Sequence, residues 1–242
     1  MTPSGLETSG STNPARDGVV LLHGIARTSR SLRTMQVALE TAGFNTLNLD
    51  YASRRKPLDV LAEDIHPRIA GFAEKVDAPL HFVTHSMGGL LTRAYLAKHR
   101  PARLGRVVML GPPNGGSEVA DFLRNFVPYR AWFGPAGQQL ITARDQALAS
   151  ILPPIDYPVG IIAGNRSVDP VSSFFLLPGP NDGKVSVQNT KLVGMADHIV
   201  VGASHTWLLR NRRAIDQTVA FLRGGRFTMR GDHLDRDAAL VE

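Results

Sequence analysis

From Gly18 onward the chain alternates short apolar runs with longer stretches whose apolar residues recur at helical spacing. The runs are Val19–Leu22, Phe44–Leu49, Leu80–Val83, Arg106–Leu110, Val159–Ala163 and Ile199–Val201. They are brief, rich in β-branched residues and not strictly alternating, which predicts strands covered on both faces. Between them, Leu32, Met35, Leu39 and Ala42 form one helical stripe, with Gly43 where a helix C-cap belongs. Leu61, Ile65, Ile69, Phe72 and Val76 form a second, which Pro67 is expected to kink. Leu90, Leu91, Ala94 and Tyr95 form a third that stops before Pro101, and Ile215, Val219 and Leu222 form the last. This alternation predicts an α/β fold: about six strands in a mostly parallel sheet, helices on both faces, and no internal repeat.

Two connections break the rhythm. Residues 112–157 separate two strands and carry Phe122, Phe126, Tyr129, Trp132 and Phe133; residues 164–190 are punctuated by Gly and Pro and carry Phe174-Phe175-Leu176-Leu177. Connections of this length in a compact domain usually carry function. Residues 1–17 are polar and contain almost nothing to bury, so they are expected to form a disordered arm ahead of a domain spanning 18–227. A charged tail, 228–242, is expected to be loosely ordered. The opening residues contain no apolar segment of a secretory signal, and the expected location is cytoplasmic.

Composition narrows the chemistry. The 242 residues are 43% hydrophobic and 20% charged, enough for one α/β domain with a full core. The absence of Cys excludes disulfide scaffolds, thiolate zinc sites, iron–sulfur clusters and thiol nucleophiles. No run approaches the ~20 apolar residues of a membrane span. The net charge is +6, with the densest basic clusters at Arg54-Arg55-Lys56 and at Arg210, Arg212 and Arg213. Neither cluster sits in a nucleic-acid motif, and a solvated basic surface is favoured over attraction to anionic substrates or interfaces.

The sharpest signal is Leu80-His-Phe-Val-Thr-His-Ser86-Met-Gly-Gly-Leu-Leu. A buried strand runs into Ser86, and Gly88 and Gly89 open an apolar helix. A turn this tight needs small neighbours, and it presents a serine hydroxyl at the carboxyl edge of the sheet. There the helix N-terminus stabilises negative charge. The rival reading is a serine that merely caps the helix.

Thr84-His-Ser86-Met-Gly88 resembles the nucleophile elbow of α/β-hydrolases, with Thr84 replacing the usual first glycine. His23-Gly24-Ile25, after the first strand, resembles the oxyanion motif of lipases. The likeness is to small bacterial lipases and esterases of the triacylglycerol-lipase type, over roughly residues 18–223. It implies a Ser–acid–His order along the chain and an oxyanion hole made by the backbone N–H groups of Ile25 and Met87. It needs no metal and no organic cofactor.

Of the eight histidines, only His205 follows the last strand at the edge where Ser86 emerges. His23 lies in the oxyanion turn and is expected to pack. His85 is expected to face away from the nucleophile in a structural role, and His198 starts the last strand at the wrong end. His66, His81, His99 and His233 fall on a helix, in a strand, at a helix end and in the tail. For the acid, Asp156 precedes its strand and is excluded, while Asp169 and Asp182 both qualify by position. Asp182, in Asn-Asp-Gly183-Lys-Val185, resembles the segment that carries the acid in many lipases and is preferred.

The resemblance implies an esterase or lipase working through Ser86, Asp182 and His205, with 112–157 as a cap. Phe122, Phe126, Trp132, Phe133, Phe174 and Phe175 are candidate substrate contacts, though these aromatics serve equally well as the cap's own core. Gly115-Gly116-Ser117 reads either as a hinge for the cap or as a plain loop. The expected partner is a small ester or lipid, with no nucleic acid and no stable membrane insertion; interfacial contact, chain-length preference and oligomeric state stay open. Acyl transfer on the same triad and a non-catalytic binding module are the rival functions, and DNA binding, resting on charge alone, is the weakest.

Overall fold

In a computed structural model, residues 16–123, 127–142, 146–167, 177 and 179–228 are described, without the side chains of 123–132. Six strands form one sheet: β1 (Gly18–Leu22), β2 (Asn45–Leu49), β3 (Leu80–His85), β4 (Leu104–Leu110), β5 (Val159–Gly164) and β6 (Asp197–Val201). Their order is β2-β1-β3-β4-β5-β6, and every pairing between neighbours is parallel.

Period-2 geometry then sorts the strand residues onto two faces. Val20, Leu22, Phe82, Val107, Met109 and Ile161 pack against α2 (Leu58–Val76) and α3 (Met87–Lys98). Val19, Leu21, Val83, Val108, Leu110 and Ile162 pack on the other side, against α1 (Arg33–Thr41) and a C-terminal helix, Arg212–Gly224. Both faces are covered, which is why the strands read as continuous apolar runs rather than as alternation. Burying each such side chain contributes about 1.5–3 kcal/mol.

The helical stripes lie where their spacing put them, and Gly43 ends the first at φ +93. Pro67 sits inside α2 without ending or splitting it. Proline removes one backbone hydrogen bond, and the buried side chains Ile65 and Ile69 on either side hold the helix to the core. Between β4 and β5 come α4 (Glu118–Leu123), α5 (Val127–Gln138) and α6 (Gln146–Ile151). Gly134, at φ +59, interrupts α5 ahead of Pro135. A side chain at Gly134 would collide with the Arg54 carbonyl, 1.8 Å from its Cβ, so α5 is seated directly on the loop after β2.

The chain moves outward from β1 to β2 and then crosses back to β3. The turns after β1 and β3 therefore diverge at a topological switch point, where open α/β sheets leave a crevice at the carboxyl ends of their strands.

Candidate active site

Ser86 joins β3 to α3 at φ 53, ψ −125, in a region that non-glycine residues avoid. Holding a residue there costs about 1–3 kcal/mol and persists only where the surroundings impose it. Here the Ser86 N–H donates to the Leu110 carbonyl at 2.9 Å. Gly88 packs so tightly that a Cβ would lie 2.4 Å from the Leu22 carbonyl oxygen. Gly24 approaches from the β1 turn, where a Cβ would stand 3.1 Å from that of Ser86. The Ser86 hydroxyl makes no capping hydrogen bond. Although the residue is only 8% exposed, it opens onto a cavity, and the helix-capping reading loses its basis.

That cavity, about 330 Å³, brings together Ser86, His205, Gly24, Ile25 and His85. Its far wall is apolar, from Val119 and Ala120 of α4, Phe133 of α5, and Leu140. His205 stands on the loop after β6. Its Nδ1 lies 2.7 Å from Oδ2 of Asp182. A carboxylate can only accept, so Nδ1 carries the proton and Nε2 keeps a lone pair. The carboxylate of Asp182 is 1% exposed, and its Oδ1 accepts from the N–H groups of Lys184 and Val185, each at 2.9 Å. Its carbonyl also accepts from the His205 N–H at 2.9 Å, so backbone and side chain fix the pair together.

Two glycines make room for this pair. Gly111 (φ +55) would put a Cβ 3.1 Å from Asp182 Oδ2 and 3.2 Å from His205 Nδ1. Gly164 would put one 2.3 Å from the Ala203 carbonyl and 2.9 Å from the Asp182 Cβ.

Two further histidines act on the backbone. Nε2 of His85 donates to the His205 carbonyl at 3.0 Å, with the rings 4.7 Å apart. Burial holds the His85 pKa well below the ordinary histidine value, so the ring is neutral. Nδ1 of His23 donates to the Gly24 carbonyl at 2.8 Å, and burial lowers its pKa too. Tyr51 stacks on His23 at 4.2 Å and donates its hydroxyl to the His23 carbonyl; burial raises the phenol's pKa. In a trans peptide the carbonyl and the following N–H point opposite ways. Anchoring the Gly24 carbonyl on His23 therefore turns the Ile25 N–H away from it, and Ile25 lines the cavity. Met87 opens α3, where a first-turn N–H has no intrahelical partner.

Of the candidate substrate contacts, Phe133 lines the cavity, while Phe122 is 66% exposed and does not. Phe126, Phe174, Phe175 and the Trp132 side chain lie outside the described residues, as does Asp169. Ser117 is pinned, its N–H donating to Leu140 and its hydroxyl to Lys184, and Gly116 leaves no space for a Cβ against Thr142. His198 sits in β6 with Nε2 3.0 Å from the Thr190 hydroxyl. Sequence reading missed the anchoring by Tyr51 and His85. The Tyr51 contact carries no local signal, whereas His85 could have been suspected from its place beside Ser86.

A serine on such a turn, beside an imidazole oriented by a buried carboxylate, is equipped for nucleophilic acyl transfer. The family model for the alpha/beta hydrolase fold matches residues 18–150. The chain belongs to the alpha/beta hydrolase family. Among solved structures, the mature lipase BlEst2 of Bacillus licheniformis superposes with a TM-score of 0.75 at 17% identity, over 87% of this chain and 93% of that one. Phospholipase PlaB of Legionella pneumophila gives 0.64 at 18% identity, over 85% of this chain and 61% of that one. The RedJ thioesterase of Streptomyces coelicolor gives 0.53 at 16%, over 88% and 95%. At such identities the likeness establishes the fold. No curated protein matches the chain. Among the described residues of this hydrolase, no helix is long and apolar enough to cross a membrane.

Proposed function

We propose that this alpha/beta hydrolase cleaves carboxylic esters through an acyl-enzyme on Ser86. The observation that carries the reading is the Asp182–His205 contact at 2.7 Å in the cavity that Ser86 enters in a strained conformation. Nε2 of His205 takes the hydroxyl proton as Ser86 attacks the ester carbonyl. Asp182 holds the imidazole in the required tautomer and stabilises its charged form. The N–H groups of Ile25 and Met87 receive the oxyanion; one such donor contributes about 2.7–4 kcal/mol to transition-state stability. His205 then protonates the leaving alcohol, and water releases the acid by the reverse steps. The apolar wall of Val119, Ala120, Phe133 and Leu140 receives the acyl chain.

The test is initial rates on p-nitrophenyl esters from acetate to palmitate, for wild type and Ser86→Ala. The expected result is turnover that disappears with Ser86, and its chain-length optimum separates an esterase from a lipase. Turnover equal in both proteins overturns the proposal.

A further inference from the structure

The Arg54-Arg55-Lys56 cluster has no part in acyl transfer, yet the fold sets it beside the site. A second cavity of about 270 Å³ lies next to the first, with Arg27, Tyr51, Ser53, Arg54 and Arg55 in its lining. The two cavities share Ala26 and Arg27, and their linings differ in kind. The first is mostly apolar. The second carries three arginines, and no carboxylate lines either one among the described residues.

Other charges nearby are already committed. Lys56 pairs with Asp64 at 2.7 Å. Asp50, also on the loop after β2, accepts from the Ser29 N–H and hydroxyl at 2.7 and 2.8 Å. Arg27 donates to the neutral Thr206 hydroxyl at 2.9 Å, one residue beyond His205, and enters no ion pair among the described residues. Arg55 is exposed and likewise enters none among them. The close seat of Gly134 on the Arg54 carbonyl fixes the loop that presents these side chains.

A concave surface of one sign raises the local concentration of the opposite charge. Guanidinium groups match phosphate oxygens with paired donors. We propose that the second cavity binds a phosphate group on the leaving-group side of the scissile bond, so that the substrate is an acyl ester or thioester whose leaving group is phosphorylated. This rests on the reading of Ser86 as nucleophile. The acyl chain occupies the apolar chamber, the carbonyl meets Ser86, and the leaving group passes Arg27 to place its phosphate against Arg55.

The test compares kcat/KM within two matched pairs: 1-butyrylglycerol 3-phosphate against 1-butyrylglycerol, and butyryl-coenzyme A against butyryl-N-acetylcysteamine. The expected result is a preference of at least about tenfold for the phosphorylated member of one pair, and that pair identifies the source as glycerol phosphate or nucleotide thioester. Arg55→Gln, with Arg27→Gln as a second variant, is expected to reduce the preference at least about fivefold. Arg212→Gln, whose side chain is 96% exposed on the C-terminal helix, leaves it in place. Equal rates within both pairs overturn the proposal, as does a preference that both arginine variants retain or that Arg212→Gln removes equally. Calorimetry of sn-glycerol 3-phosphate with Ser86→Ala separates the two readings. Arg55-dependent binding without any Ser86-dependent turnover leaves a phosphate site but overturns the leaving-group assignment together with the esterase, while turnover without phosphate preference keeps the esterase and overturns this proposal alone.

Discussion

The nucleophile half of the site and the acid–base half are built from different material. Ser86 is held by backbone close at hand: its own N–H on Leu110, and two glycines that let the β1 and β3 turns touch. The strand, turn and helix that carry the serine are one contiguous segment, Leu80–Leu91, and Leu22, Gly24 and Leu110 close on it from the neighbouring β1 with its turn and from β4. Asp182 and His205 stand 23 residues apart and come together only because loops after β4, β5 and β6 converge. Gly111 and Gly164 leave the space, Lys184 and Val185 hold the carboxylate, and His85 holds the carbonyl of the base. Local geometry strains one half; tertiary contacts assemble the other.

Substitutions can break either half selectively. The largest loss is expected from Ser86→Ala, about a millionfold in kcat on p-nitrophenyl butyrate, followed by Asp182→Asn at about ten-thousandfold. Asp169→Asn is the control for the second: rates within about twofold of wild type keep the acid at Asp182, and a collapse moves it.

Next comes Gly111→Ala, which forces a methyl between Asp182 and His205 on a left-handed backbone. Misplacing catalytic groups by a fraction of an ångström is expected to lower kcat about tenfold to a hundredfold with little change in KM. The same change at Gly88, beside the Leu22 carbonyl, is instead expected to reduce the yield of folded protein, because backbone cannot move aside as a loop can. Equal behaviour of the two variants would erase the distinction between the halves.

A smaller effect is expected at His85. Losing its hydrogen bond in His85→Ala costs about 1 kcal/mol, or several-fold in kcat, and His85→Gln, which can keep the N–H, recovers most of it. His85 also predicts a pH effect on stability. Its folded pKa lies below the unfolded value of 6.5, so the unfolded chain binds the extra proton first. Its contribution is complete above about pH 6.5 and falls as the pH drops below that, by up to about 1.4 kcal/mol per unit. Urea melts from pH 7 to pH 5 are expected to show a shallower loss for His85→Gln than for wild type. The smallest change is expected for Met87→Leu, whose part in the reaction is played by backbone, and turnover within about threefold of wild type checks it.

What could be read from the sequence follows the same division. The six strands declared themselves through apolar runs such as Val159–Ala163, and their flanks were cut short where polar residues still pair, as at Asp197 and His198 of β6. Ser86 stood out because strand, turn and helix are contiguous. Asp182 and Asp169 could not be separated by position, because only the folded loop brings one carboxylate to His205. The aromatic residues between β4 and β5 said that apolar surface exists there without saying which way it faces, and Phe122 and Phe133 turned to opposite environments. Tyr51 and Arg27 were invisible, since their partners lie across the crevice rather than along the chain. Pro67 lies inside one continuous helix, with the buried anchors Ile65 and Ile69 on either side of it.

The central claim is that Ser86 is an activated nucleophile, and covalent capture tests it most directly. Intact-protein mass spectrometry after incubation with a p-nitrophenyl alkylphosphonate is expected to show one equivalent of phosphonyl group, located on Ser86. That label should be absent in Ser86→Ala and slowed by orders of magnitude in Asp182→Asn. Labelling that persists in Ser86→Ala, or a wild-type protein that stays unmodified, would contradict the account.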